Sequence, residues 1–147
     1  MRPPAGSRVQ EVTTALKTAF EAIDGVTVVY LAKGNRETRT DTISVAVGRN
    51  AVGVQRQKAP GLGMRYQETM RIVCEIRSRS GAKDPAARLA RGVEILDQVG
   101  AVVLADPRLG GVCDEALLGP DESWTFEDST SGPDALCRFS ILTKTNV

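Results

Sequence analysis

The chain contains no histidine. Its absence removes the side chain that most often acts as a general base near neutral pH and most often ligates zinc. Ser-His-Asp and Cys-His mechanisms are therefore excluded in their usual forms. Cysteine is sparse. Cys74, Cys113 and Cys137 are odd in number, far apart and without CxxC spacing, which reads as reduced, structural thiols of a cytosolic protein. An excess of one charge is also missing: nineteen basic and eighteen acidic side chains leave a formal +1. A dedicated nucleic-acid-binding module normally shows a marked basic excess. The longest apolar runs, VTVVYLA (26–32) and GAVVLA (100–105), are far short of a membrane span. The opening MRPPAGSR has no apolar signal-peptide core. The expectation is a soluble chain, cytoplasmic at synthesis, with no membrane partner.

What is present suits one ordinary domain. The 147 residues, 41% apolar and 25% charged, fit a single unit over 1–147. A chain of this length buries roughly 70% of the surface its unfolded form exposes, so it needs neither disulfide nor metal to hold a core.

Val9, Val12, Leu16, Phe20 and Ile23 recur at helical spacing. Ser7 with Gln10 fits a capping box and Gly25 a C-cap, predicting a one-faced helix from Ser7 to about Asp24. VTVVYLA (26–32) and DTISVAVG (41–48) read as strands of a hairpin with a long connection. Residues 48–63 are rich in glycine and proline and carry basic residues but no acid; they read as an extended loop or hairpin arm projecting from the body. Residues 64–80 alternate as a long strand, Met70, Ile72, Cys74 and Ile76 facing one way and Arg71, Val73, Glu75, Arg77 and Arg79 the other. Its end is expected to project, with Arg77 and Arg79 solvated or at a contact.

Asp84 and Pro85 mark the start of a second helix, with Leu89, Val93, Leu96 and Val103 as its buried stripe and Ile95 and Val102 off that face. Three short strands follow, at 112–118, 124–129 and 135–145, punctuated by GPDES and TSGPD as turns. In the last, the Cys137, Phe139, Ile141 face is the more apolar and is expected to meet the core. The pattern predicts an α+β domain: two main helices on one face of a mostly antiparallel mixed sheet, with a long projecting loop or hairpin arm.

The stretch DPRLGGVCDEALLG (106–119) invites chemical readings that fail one by one. It lacks the GxxxxGK[ST] pattern, and its glycines follow a helix where a phosphate loop opens one. Cys113 and Glu115 share a strand face without Asp114, and no histidine completes a metal set. Asp121, Glu122, Glu127 and Asp128 cluster near Trp124, and paired carboxylates can hydrolyse glycosides at a fixed separation; in a small domain with no second lobe they read as a solvated acidic face. Trp124 reads as core or a sheet-edge plug. No catalytic residue, metal or cofactor is expected. Gly110 and Gly111 are structural: one of them is expected to take a positive φ in the turn that returns the chain to the sheet at Val112.

The helix opening DPAAR, running into VLADPRLGGVCDEALLGPDESW and a final strand after a glycine turn, resembles the tail terminator proteins of long, non-contractile-tailed bacteriophages, also called minor tail or tail completion proteins. The order of the N-terminal helix and strands agrees, so the resemblance covers essentially the whole chain. It implies an α+β subunit of a homohexameric ring seated on the last ring of tail tube protein. Such a ring stops tube growth and presents the surface that the head–tail connector protein joins, in the virion and, during assembly, in the host cytoplasm. DNA passes through the lumen without specific binding, consistent with +1 per chain. The contact residues this suggests are Arg49, Arg56 and Lys58 of the arm and Arg77 and Arg79 of the strand end, at subunit or tube interfaces or lining the lumen. Another head–tail joining protein, a connector, stopper or adaptor, shares the same outline. A small cellular enzyme has no residue-level support.

Overall fold

The computed structural model describes residues 8–30, 41–58, 66–79, 84–129 and 132–146. Two α-helices lie against one face of a six-stranded, mostly antiparallel mixed sheet, the expected α+β arrangement. Helix α1 (Arg8–Phe20) turns Val12, Leu16 and Phe20 fully inward, one residue per turn on a single stripe. It ends earlier than Asp24 because the amides of Ala22 and Ile23 reach back only three residues, to Ala19 and Phe20. Gly25, at φ 75°, then turns the chain into β1 (Val26–Tyr30). Ser7 and the expected capping box lie outside the described residues.

Strand β1 pairs in parallel with β2 (Asp41–Val45), Val26 opposite Asp41. The expected hairpin is therefore corrected. A five-residue strand covers about 17 Å, and residues 31–40 can reach about 33 Å, enough chain to return to the starting end and enter β2 in the same direction. Ala46 and Gly48, at φ 63° and 84°, then break β2. The chain loops outward and resumes as β3 (Val52–Lys58).

Strands β2 and β3 lie end to end along one side of β4 (Tyr66–Ser78): Ile43 faces Ile76 and Val52 faces Ile72. Val47 N–H donates to the Val73 carbonyl, and Val73 N–H to that of Ala51, both at 2.9 Å, pinning the outward loop at its two ends. Of the described residues 48–58, Val52–Lys58 thus form a strand paired antiparallel with β4; the projecting loop or hairpin arm expected here is not seen as such among them. Val52 and Val54 pack beside the core, and their alternation was hidden among glycine and polar residues. Residues 59–63 lie outside the described residues. In β4 the alternation holds: Met70, Ile72, Cys74 and Ile76 are all buried.

Asp84 caps α2 (Pro85–Ala105), accepting from Ala86 N–H at 3.0 Å. The buried stripe runs Arg88, Gly92, Ile95, Leu96, Val99 and Val103. Of the expected stripe Leu96 and Val103 are buried as expected, whereas Val93 is 42% exposed, Leu89 is half-buried and Ile95, expected off that face, is in the core. An arginine and a glycine occupy the first turns of the true stripe, so an apolar count could not find it. Gly92 is there because Trp124 lies against it; a Cβ would come within 2.9 Å of the indole.

After Ala105 a short 3₁₀ turn, Leu109–Gly111, is held by Asp106, whose carboxylate accepts from Gly110 N–H at 2.9 Å. Gly110 and Gly111 both take positive φ, 72° and 97°, as the turn reading required. The sheet resumes at Glu115, three residues later than expected, with β5 (Glu115–Ser129). Nothing lies within 4 Å of a Cβ added at either glycine, so backbone strain alone sets the cost there. Valine at both positions is expected to lower unfolding free energy by more than about 1 kcal/mol, measured by urea denaturation.

The two strands expected at 112–118 and 124–129 are one. Strand β5 pairs with β6 (Gly132–Asn146) throughout, with a register shift between Leu118 and Glu122. GPDES is thus a bulge, not a turn. A Cβ at Gly119 would lie 3.0 Å from the Ser140 carbonyl oxygen, and Pro120 has no N–H for the ladder. Strand β6 turns Cys137, Phe139 and Ile141 to the core as expected. Strand order is β1-β2-β4-β6-β5, with β3 beside β4.

Candidate functional site: the open sheet face and its edges

With the helices on one face, strand alternation sends Arg71, Val73 and Glu75 of β4, and Arg138 and Ser140 of β6, to the other. An open cleft of about 450 Å³ lies there. Gly48, Arg49 and Asn50 of the outward loop line one side, Asp121, Glu122 and Ser123 of the β5 bulge another. Both walls are breaks in strand pairing, so the cleft follows directly from Ala46 and Gly48 at one side and Gly119 and Pro120 at the other. Arg138 donates to Glu75 at 3.1 Å, and the guanidinium passes close beneath Gly48, 3.3 Å from where a Cβ would sit. Arg49, Arg71 and Arg138 therefore share a polar concavity with Asp121, with Glu75 bonded to Arg138 beside it. Such a surface offers charge and hydrogen bonds to another polar surface. Among the described residues no group of three His, Cys, Asp or Glu side chains is placed to hold a metal.

The strand-end arginines are gathered inside the chain. Asp134 is completely buried. One carboxylate oxygen accepts from Arg77 and Arg79, each at 3.1 Å, and the other from Arg88 at 3.0 Å. Arg77 also reaches Glu127 at 3.2 Å. Next to this cluster Asp41 accepts from the Arg79 amide at 2.8 Å and from Arg91 at 3.0 Å. Of the expectation that Arg77 and Arg79 are solvated or at a contact, the solvated alternative is corrected: they tie the end of β4 to the start of β6 and, through Asp134, to the first turns of α2.

The other three predicted contact residues are not brought together. Arg49 lines the cleft. Arg56 donates to the buried Glu68 carboxylate at 3.0 Å. Lys58 is exposed at the end of β3. Sequence reasoning missed Arg88, Asp134 and Arg138. Arg88 sits four residues before Gly92 on the buried stripe, a position where a charge signals a buried partner. Asp134 follows Gly-Pro and looks like an ordinary turn residue.

All three cysteines are free and buried. Burial pushes the thiols of Cys74 and Cys137 up to about 12 and that of Cys113 to about 11, from an ordinary 9.0; Asp114 adds to the rise at Cys113 and Glu122 at Cys137. These are protonated, inert side chains. Native protein at pH 8 is expected to resist alkylation that goes to completion in urea, read by intact mass. The folded-state values lie above the unfolded one, so the unfolded chain gives up these protons first. Stability from this source is intact below about pH 9 and falls as pH rises toward 11–12. A variant with alanine at all three positions should lose that part of the decline in denaturation midpoints.

Comparison with known proteins finds no family model and no curated protein that matches this chain.

Proposed function

We propose that this chain is a structural virion subunit that forms a ring on the last tail tube ring of a long, non-contractile phage tail. It stops tube polymerisation and offers the surface that the head connector joins. The observation that carries this reading is β5. It is an edge strand of fifteen residues with nothing paired along its outer side among the described residues. Phe126 and Leu117 on it are 52% and 39% exposed. A long open edge bearing apolar side chains is a template for another chain, which suits a protein whose work is contact with copies of itself and with neighbours. The resemblance carried by DPRLGGVCDEALLG and Trp124 points the same way, and the near-neutral chain suits a lumen through which DNA slides.

The test is to add the purified protein to polymerising tail tube protein from the same virus and record tube lengths by negative-stain electron microscopy. Capped tubes of shortened length, with extra density at one end, are expected. Unchanged tube lengths at excess protein would overturn the reading.

A further inference from the structure

Three strands have an unpaired side among the described residues: β1, β3 and β5. They differ sharply in charge. Strand β5 carries Glu115, Asp121, Glu122, Glu127 and Asp128 and no lysine or arginine. Strand β3, on the opposite side of the sheet, carries Arg56 and Lys58 and no acid, while β1 is uncharged. Joining β5 to a second β5, or β3 to a second β3, would set like charges against each other across the new ladder, which disfavours both pairings. Joining β3 to β5 sets opposite charges together.

The faces agree as well. Arg56 and Lys58 stand opposite Glu68 and Tyr66, in step with Met70 on the helix-covered face. Glu122 and Trp124 stand opposite Phe139 and Cys137 on that same face, followed by Phe126 and Asp128. In a sheet continued antiparallel from one copy to the next, Lys58 can therefore face Glu122, with Arg56 beside it opposite Trp124. Val52 and Val54, which share the face of Arg56, lie along exposed Phe126. The lengths match too: β3 has seven residues, and β5 runs in unbroken register from Glu122 to Ser129.

We infer that the acidic β5 edge of one copy pairs with the basic β3 edge of the next, continuing the sheet between subunits. This deepens, and rests on, the assembly reading above. The contact uses two different patches, so it propagates head to tail and yields a ring wherever the rotation between copies closes. Arg56 and Lys58 then belong to one side of a subunit contact whose other side is β5.

The test uses exposed positions that leave the Arg56–Glu68 pair alone. One full-length variant, Gln57→Glu with Lys58→Glu, makes the β3 edge acidic; another, Thr125→Lys with Asp128→Lys, makes the β5 edge basic. Solution mass by light scattering is recorded for wild type, each variant and their equimolar mixture, with thermal melts to verify folding. The expected result is a concentration-dependent mass above 15.7 kDa for wild type, its loss in each variant alone and its recovery on mixing, because the altered edges complement each other. Wild-type mass retained in either variant, no recovery on mixing, or a wild type that stays at 15.7 kDa at every concentration overturns edge pairing. The tube-length measurement stands apart from these outcomes, so failure of the edge contact and failure of the capping role are distinguishable.

Discussion

Asp134→Ala is expected to destabilise the fold by about 3–5 kcal/mol, the range for removing one partner of a buried ion pair. The carboxylate is fully buried and is the common acceptor for Arg77, Arg79 and Arg88. Of the three, Arg88 has the most to lose. Only 2% of its side chain is exposed, so without Asp134 its charge stays in the interior, where the Pro133 carbonyl at 3.3 Å is a neutral acceptor that cannot replace a carboxylate. Arg77 retains Glu127 and can relax toward solvent. Urea denaturation checks the magnitude, and the order of variants checks the mechanism. Asp134→Asn keeps the shape and an acceptor oxygen and should cost less than alanine. Removing Arg88 and Asp134 together, both to leucine, should cost less than the sum of the two single changes, since the double change no longer strands the Arg88 charge. Additive losses would show that the pair is not coupled.

Phe20→Ala is expected to cost about 3–5 kcal/mol, as for other large aromatic side chains deleted from a well-packed interior. Phe20 has no surface in water and belongs to the same buried cluster as Leu16, Ile43 and Val45. It is the last residue of α1, next to the point where the chain leaves the helix for β1. A cavity there undermines the covering of β1 and β2, strands against which α1 packs. Phe20→Leu keeps most of the volume and should cost less than about 1.5 kcal/mol. Denaturant melts followed by far-ultraviolet circular dichroism decide between them; equal losses for alanine and leucine would mean that the ring's shape, not its volume, matters.

Much of the architecture was legible in the residues. Helical spacing in 9–23 located α1, Asp84-Pro85 marked the start of α2, and strict alternation in 70–76 and 137–141 identified which faces of β4 and β6 meet the core. Each of these depends on contacts between near neighbours along the chain. The misses share a cause. GPDES looks like a turn because glycine and proline break strands as well as helices; whether they end β5 or merely bend it depends on Ser140, on the neighbouring strand. The direction of β2 relative to β1 is invisible locally, because a ten-residue connection can serve a hairpin or a crossover. The α2 stripe was displaced because Arg88 and Gly92 become core residues only through Asp134 and Trp124, respectively 46 and 32 positions away.

Of the candidate surface, composition alone determined that this chain brings no histidine chemistry, almost no net charge and three thiols with no motif around them. Local pattern determined that Gly110 and Gly111 serve a turn. Tertiary structure decided which charges are free to meet another chain. Arg77 and Arg79 look as available in sequence as Lys58, yet folding brings Asp134 to them and leaves Lys58 in water. It also set the acids of β5 and the bases of β3 on opposite sides of one sheet. The reason is physical: a side chain's charge is written in the sequence, but the neighbour that neutralises it is chosen by strand order, and strand order is a property of the whole chain.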